Sequence, residues 1–217
     1  MMTMGHQHIV TSSTTGATHA FHAARPTRTA SGFSLVEVLV SIVVLSFGLL
    51  GMVGMQAASL QANREARLQS SAVFLARELA DTIRGNKNIG ILPIATNPYL
   101  GSFSTPLAAS TASYCLNVAT GTTACTNATD IANAQMTEWL ARVDTELPGA
   151  RIDICFDSTP FDANGLPQWT CSDTGGVIVV KIGWTRGSTN KARSGATALE
   201  RATIPSIVLP VTAGTTT

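Results

Sequence analysis

The sequence predicts an α+β protein, in which one long N-terminal α-helix precedes a small antiparallel β-sheet. Residues 33–55 contain a single charged side chain, Glu37, and residues 57–84 contain neither proline nor glycine. Together these segments predict one helix from about Phe33 to Arg84. The sheet is predicted by three later segments with strand character, at residues 151–157, 177–185 and 203–211.

The two halves of the predicted helix differ in where they carry apolar side chains. The first half is apolar on every face, and its 23 residues would span about 34 Å, enough to cross a hydrocarbon core of about 30 Å. Its three glycines, Gly48, Gly51 and Gly54, are either tolerated, as in other membrane helices, or mark a segment that bends or unwinds outside lipid. The second half is amphipathic, and its apolar face is formed by Leu68, Ala72, Leu75, Leu79 and Ile83.

The segment after this helix predicts loops and then a shorter helix. Gly85-Asn86 is a plausible C-cap, and residues 86–129 are rich in proline, serine, threonine and asparagine. A helix is predicted at residues 130–147, with Asp130 as its cap and Pro148-Gly149 at its end. Its apolar face would consist of Met136, Trp139, Leu140, Val143 and Leu147.

The three predicted strands have different patterns. The first places Ile152, Ile154 and Phe156 on one side and Arg151, Asp153 and Asp157 on the other. The second alternates on one face through Ile178, Val180, Ile182 and Trp184. The third is broken by Pro205 and Pro210, which predicts a strand at the edge of the sheet.

The charge and histidine content exclude several classes of function. There are 14 basic and 13 acidic residues, so nucleic acid is not an expected partner. Residues 1–32 contain Arg25 and Arg28, no acidic residue and all four histidines. If this segment is removed, the remaining chain has no histidine, which excludes His-based triads and His-ligated zinc.

No other pattern indicates catalysis or a bound cofactor. The sequence offers neither a nucleophile–base pair nor a cofactor-binding loop, so we expect no enzyme activity, catalytic residue, cofactor or metal. The stretch Asp162-Ala163-Asn164-Gly165 lacks the acidic ladder and terminal glutamate of a calcium loop, and it predicts a turn.

Four cysteines, Cys115, Cys125, Cys155 and Cys171, lie in the C-terminal half. Their even number beyond a membrane helix suggests disulfides in an oxidising compartment, and their spacing lacks CxxC pairs. Three connectivities are possible. The local one, Cys115–Cys125 with Cys155–Cys171, is favoured because short loops close most readily.

The most informative residues are Gly32-Phe33-Ser34-Leu35-Val36-Glu37 at the start of the apolar run. An ordinary secretory signal is cut after its apolar run, whereas here the best processing signal precedes it. Glycine is suitable at a cleavage site because it has no side chain to obstruct the backbone. Cutting after Gly32 would create an amine on Phe33, one helical turn before Glu37, and an amine and a carboxylate of neighbouring subunits would then neutralise each other.

The string GFSLVEVLVSIVVLSFGLLGMVGMQ at residues 32–56 resembles the class III signal of type IV pilins and pseudopilins, and most closely that of PilV-type minor pilins. The Cys115–Cys125 loop and the Trp139 helix that ends in Leu147-Pro148-Gly149 are similar to that family too. Pilins commonly carry a proline in the middle of the apolar helix, and here that stretch has Gly54.

The resemblance implies a function and a topology. Prepilin peptidase would cut between Gly32 and Phe33 and methylate Phe33, and Glu37 would act in subunit registration. The implied organisation is a leader at residues 1–32, a membrane or filament-core segment at 33–56, an amphipathic segment at 57–85 and a periplasmic pilin domain at 86–217. The chain would reside in the bacterial inner membrane with a single pass and later in the pilus. Its expected partners are other major and minor pilins, the peptidase, the inner-membrane assembly machinery and, before assembly, membrane lipid.

Two alternatives stay open. A minor pseudopilin of a type II secretion system has the same structural class, although the Ser46–Gly51 stretch and the paired cysteines favour the pilus. An uncleaved, membrane-anchored periplasmic domain would keep its leader and contain a polar pocket.

Overall fold

The computed structural model describes residues 32–117, 123–188 and 192–214. The predicted leader at residues 1–32 therefore lies outside the described residues, apart from Gly32. The chain divides into two units, Met1–Leu50 and Gly51–Thr217.

The predicted long helix is present as α1, Leu35–Gly85, and has 51 residues. It carries Glu37 in its first turn and Arg84 in its last turn, where each charge complements the helix dipole. The helix ends at Gly85, as predicted, although Gly85 does not adopt the positive φ of a glycine cap. Instead the Asn86 N–H donates to the carbonyls of Thr82 and Ile83, and the chain continues into a single helical turn, α2, Lys87–Gly90.

The second unit contains a four-stranded antiparallel sheet. The elements that follow α2 are β1 Gly101–Ser104, α3 Ala128–Glu146, β2 Arg151–Phe156, β3 Ile178–Gly183, β4 Arg186–Gly187, a 3₁₀ turn Gly195–Ala198, β5 Leu199–Glu200 and β6 Ile207–Val211. Strands β1, β2, β3 and β6 pair in that order to form the four-stranded sheet, and β4 pairs with β5 in a separate two-stranded sheet. The predicted α+β class, a pilin-like helix on a small antiparallel sheet, is confirmed.

Of the two edge strands of the four-stranded sheet, one was predicted from the sequence and the other was not. β6 lies at one edge, as Pro205 and Pro210 indicate, but it begins at Ile207, four residues after the predicted start. β1 at the other edge lies within a segment predicted as loop. Its register pairs Phe103 with Ile152, and Phe103 is its one buried side chain. This strand exists because β2 offers it a partner and not because of its own pattern.

The core of this unit lies between the amphipathic half of α1, α3 and one face of the sheet. The predicted helix faces are confirmed: Leu68 is partly buried, and the other predicted apolar residues of α1 and α3 are buried. The indole Nε1 of Trp139 donates to the carbonyl of Leu75 at 3.0 Å, which fixes α3 against α1.

A second polar link joins the end of α1 to α3. The Tyr99 side chain is fully buried, and its hydroxyl donates to Oε1 of Gln135. The same hydroxyl accepts from Nδ2 of Asn86 at 3.2 Å. Burial raises the pKa of Tyr99, although the bond from Asn86 opposes that change, so the phenol stays neutral.

The N-terminus of α3 corrects one prediction. The capping residue is Asn127, whose side-chain oxygen accepts from the Asp130 N–H at 2.9 Å, and Asp130 itself lies inside the first turn. Asp130 accepts from the Thr126 hydroxyl and from the Thr126 N–H. These hydrogen bonds from Thr126 lower the pKa of Asp130.

Candidate functional site

The predicted processing residues lie immediately before α1 begins. Gly32 and Phe33 are exposed, and the Phe33 side chain is 83% accessible. The carbonyl of Ser34 accepts from the backbone N–H of Glu37 at 3.0 Å and of Val38 at 3.2 Å, which forms the first turn. The peptide bond between Gly32 and Phe33 is therefore outside the helix and open to an approaching protein.

Among the described residues, packing does not require a glycine at position 32. A Cβ placed on Gly32 would meet no described atom within 4 Å. Any requirement for glycine at this position would come from a molecule that contacts this backbone.

Phe33 and Glu37 line the same shallow depression. Its volume is about 430 Å³, and its other walls are formed by Val38, Ser41, Ile42 and Leu45. Glu37 is in the first turn of α1, where the positive end of the helix dipole stabilises a carboxylate. The structure thus brings together the two residues that the sequence singles out, Phe33 as the predicted terminus and Glu37 as the acid, on one largely apolar surface.

The apolar run around this site is uncovered. Every large apolar side chain from Phe33 to Met55 is at least 47% exposed. The hydroxyls of Ser41 and Ser46 donate to the carbonyls of Glu37 and Ile42, four residues earlier, both at 2.7 Å. These two hydroxyls are satisfied within the helix, whereas Glu37 is the one charged side chain of the run and has no hydrogen bond or ion pair within the described residues.

The length and composition of α1 are sufficient to cross a membrane. Its most apolar stretch is not buried against any other described part of the chain. The glycines at 48, 51 and 54 stay helical, and a Cβ at each would meet nothing within 4 Å. Packing within the chain therefore does not require them.

A second polar cluster lies on the face of the sheet opposite to the core. Lys181 of β3 is fully buried, and its Nζ lies 2.6 Å from Oδ2 of Asp157. The same ammonium donates to the carbonyl of Thr170 at 2.8 Å. The sequence interpretation did not single out Lys181, although a lysine in an apolar strand is a signal that a buried partner exists.

The segment at residues 157–174 covers this face. It is fastened to β2 by the disulfide Cys155–Cys171. The Arg151 guanidinium lies 4.3 Å from the centre of the Trp169 ring, and it also pairs with Asp153 at 3.0 Å. The two aspartates predicted on this side of β2, Asp153 and Asp157, are consequently buried.

The charge state of Asp157 is set by opposing effects. Burial raises its pKa, while the hydrogen bond and positive charge of Lys181 and the backbone N–H groups of Thr159 and Ser172 lower it. The lowering effects prevail, so the pKa of Asp157 is below its usual value and the carboxylate is ionised.

The structure contains the second local disulfide as well, Cys115–Cys125. It lies next to the cap of α3, and Cys115 Sγ approaches the carbonyl of Asp130. The loop at residues 162–165 is a turn, as predicted: Oδ1 of Asp162 accepts from the N–H groups of Asn164 and Leu166, both at 2.8 Å.

Among the residues that the structure describes, one group of side chains has metal-ligand chemistry. The ligand atoms of Cys155, Asp157 and Cys171 lie within 4.8 Å of one another. The two sulfur atoms form a disulfide and the carboxylate is paired with Lys181, so neither thiolate is free to bind a cation. The chemistry of this donor set does not fit a metal centre.

The comparison with protein families agrees with the geometry at the start of α1. Residues 27–53 match the family model described as the prokaryotic N-terminal methylation motif. The match supports a type IV pilin-like precursor that prepilin peptidase processes, and it is typical of a structural protein that is not an enzyme. The chain matched no curated protein and no solved structure.

Proposed function

We propose that this chain is the precursor of a PilV-like minor pilin that takes part in the initiation and assembly of type IV pili. The observation that carries the proposal is the methylation motif at residues 27–53, which lies across the exposed Gly32–Phe33 bond and the beginning of α1. The confirmed pilin-like fold supports it.

The first step of the proposal is processing. Prepilin peptidase cuts the bond between Gly32 and Phe33, which removes residues 1–32, and methylates the new amine of Phe33. Exposure of this bond outside α1 supports the step, because a peptidase needs access to an extended backbone. The space around Gly32 supports it too, since no described residue would contact a larger side chain at this position.

The second step is assembly through α1. Residues 33–56 occupy the membrane first and then pack against the corresponding helices of other pilins, while residues 57–85 hold the globular domain at 86–217. A carboxylate in such an apolar environment is unfavourable by several kcal/mol unless it is paired. Glu37 therefore pairs with the Phe33 amine of a neighbouring subunit and sets the axial register. The shared depression of Phe33 and Glu37 supports this arrangement.

The location and partners follow from these two steps. The chain spans the bacterial inner membrane once, with its disulfide-bonded domain in the periplasm, and then moves into the pilus at the cell surface. Other major and minor pilins, prepilin peptidase and the inner-membrane assembly machinery are its partners. The two disulfides support an oxidising compartment for the domain.

Substitution of Glu37 tests the assembly step. In Glu37→Val we expect normal membrane insertion and processing, and a drop of tenfold or more in incorporation into sheared pili, because the neighbouring amine loses its partner. Ser46→Ala is the matched control: its hydroxyl bonds only within the helix, so incorporation should stay unchanged.

Incorporation is measured by quantitative immunoblotting, as the amount of the subunit in sheared pili relative to its amount in the membrane fraction. Incorporation of Glu37→Val at the level of the original protein would refute the pairing role. A loss of type II secretion with normal piliation would instead identify a minor pseudopilin.

A further inference from the structure

The half of α1 that follows the apolar run carries, within the described residues, two unpaired arginines that share one groove. Within the described ranges, Arg64 and Arg67 have no ion pair and no hydrogen bond from their guanidinium groups, whereas Arg84 and Arg142 each pair with an acid. Their spacing of three residues places them on one face of the helix. They line one groove of about 550 Å³.

The charge of this groove is positive. Glu146, near the end of α3, is the one acid that lines it. Glu65 lies between the two arginines in sequence, but its carboxylate pairs with Arg186 at 3.0 Å and does not neutralise them. Two cations against one anion leave the groove suited to a negatively charged group, and guanidinium groups bind phosphate in two-point contacts.

The position of the groove along α1 indicates where that negative group comes from. Arg64 follows Met55, the last residue of the apolar run, by nine residues, and Arg67 follows it by twelve. These separations correspond to about 14 and 18 Å along the helix. Side chains on a helix lean towards its N-terminus, which here is the direction of the apolar run, so both guanidiniums reach back towards the headgroup layer of a bilayer that contains this run. Leu60, 70% exposed on the same groove, offers an apolar wall beside them.

We propose that Arg64 and Arg67 form a binding site for the phosphate of an anionic phospholipid headgroup in the leaflet from which the globular domain projects. This inference rests on the proposed insertion of α1 in the membrane. Through this site the subunit binds anionic lipid before assembly, while α1 is still in the bilayer. Extraction of the subunit into the filament breaks the contact between the arginines and the headgroup phosphate.

Arg77 provides a matched control on the same helix. It also has no partner within the described ranges, but it lines a different groove with Phe74 and lies 22 residues beyond Met55, about 33 Å along the axis. Arg77 is therefore about 15 Å, or roughly two Debye lengths of about 8 Å, farther from the apolar run than Arg67. Arg77→Gln removes the same charge without touching the proposed site.

The test is lipid retention by the full-length protein. The protein is placed in nanodiscs that contain equal amounts of phosphatidylglycerol and phosphatidylethanolamine with identical acyl chains, and the lipids that stay bound are counted by native mass spectrometry. Arginines near an anionic surface each favour it by roughly five-fold, so we expect phosphatidylglycerol to be retained over phosphatidylethanolamine by about five-fold or more. The preference should disappear in Arg64→Gln/Arg67→Gln and persist in Arg77→Gln.

Three results would overturn the proposal: equal retention of both lipids by the original protein, an unchanged preference in the double variant, or an equal loss in Arg77→Gln. If millimolar inorganic phosphate abolishes the preference, the groove takes free phosphate and the assignment to a headgroup is wrong. Alkaline extraction of membranes separates this inference from the proposed function. A protein released by alkali refutes membrane insertion, whereas one that resists alkali but shows no lipid preference refutes the headgroup site alone.

Discussion

Replacement of Lys181 by methionine tests how the covered face of the sheet is held together. The variant removes the ammonium group that lies 2.6 Å from Asp157 and keeps an unbranched chain of similar volume in the buried site. Asp157 then stays in a fully buried position with backbone N–H donors from Thr159 and Ser172 on Oδ1, but no cation at Oδ2. Breaking a buried pair in this way costs about 3–5 kcal/mol, and we expect the lower end because Oδ1 keeps both donors.

The assay is thermal unfolding of the full-length protein in a non-ionic detergent with its disulfides intact, followed by near-ultraviolet circular dichroism. A loss of about 3 kcal/mol lowers the melting temperature of a chain of this size by about 6–12 °C. Lys87→Met is the control: Lys87 is exposed, so its replacement should change stability by no more than about 0.5 kcal/mol.

A second variant separates the lost charge from lost packing. In Lys181→Met/Asp157→Asn the amide oxygen still accepts from Thr159 and Ser172, but no uncompensated charge is buried, so about half of the lost stability should return. The electrostatic reasoning is wrong if Lys181→Met costs less than about 1 kcal/mol, or if the double variant is no more stable than the single one.

Two further predictions concern stability. Because the folded-state pKa of Asp157 lies below its usual value, its ionisation stabilises the fold above about pH 4, and this contribution should fall away at lower pH. Melting curves between pH 7 and pH 3 should show a smaller acid-induced decrease for Asp157→Asn than for the original protein; equal decreases would contradict the assignment. Trp139→Phe removes the indole donor to the Leu75 carbonyl and should cost about 1–2 kcal/mol, measured by the same assay. A shift in melting temperature below about 1 °C would show that this bond does not hold α3 on α1.

Elements with a strong local period were predictable from the sequence. The 3.6-residue spacing of Leu75, Leu79 and Ile83 defines the buried face of α1, and that of Met136 and Val143 defines the face of α3. The strands β2 and β3 were predictable as well, because their core-facing isoleucines and valine recur every second residue: Ile152, Ile154, Ile178, Val180 and Ile182.

The features that were mispredicted or missed have one of two causes. They depend on residues that are distant in sequence, or on which of two nearby residues caps a helix. β1 has one buried apolar residue, Phe103, and exists through its pairing with β2. Asn127 and Asp130 are both good capping residues, and the hydrogen bonds of Thr126 to Asp130 decide between them. The covered face of the sheet was not predictable, because Lys181 and Asp157 come together only when the segment at 157–174 folds over β2 and β3.

The candidate site itself could be found from the sequence because its signal is local. Gly32, Phe33 and Glu37 lie within six residues of one another in the sequence. The apolar run that begins there is itself visible in the sequence and predicts that these residues lie at the start of a membrane helix. The arginine groove was not predicted, because only the pairing of Glu65 with Arg186 in the folded chain leaves Arg64 and Arg67 without that neighbouring counter-charge.

The intact mass of the subunit isolated from sheared pili tests the central claim most directly. The account predicts a polypeptide that begins at Phe33, carries one added methyl group and lacks four hydrogens for its two disulfides. Fragmentation should place the methyl group on the amine of Phe33. A subunit that keeps residues 1–32 while present in the fibre would contradict the account.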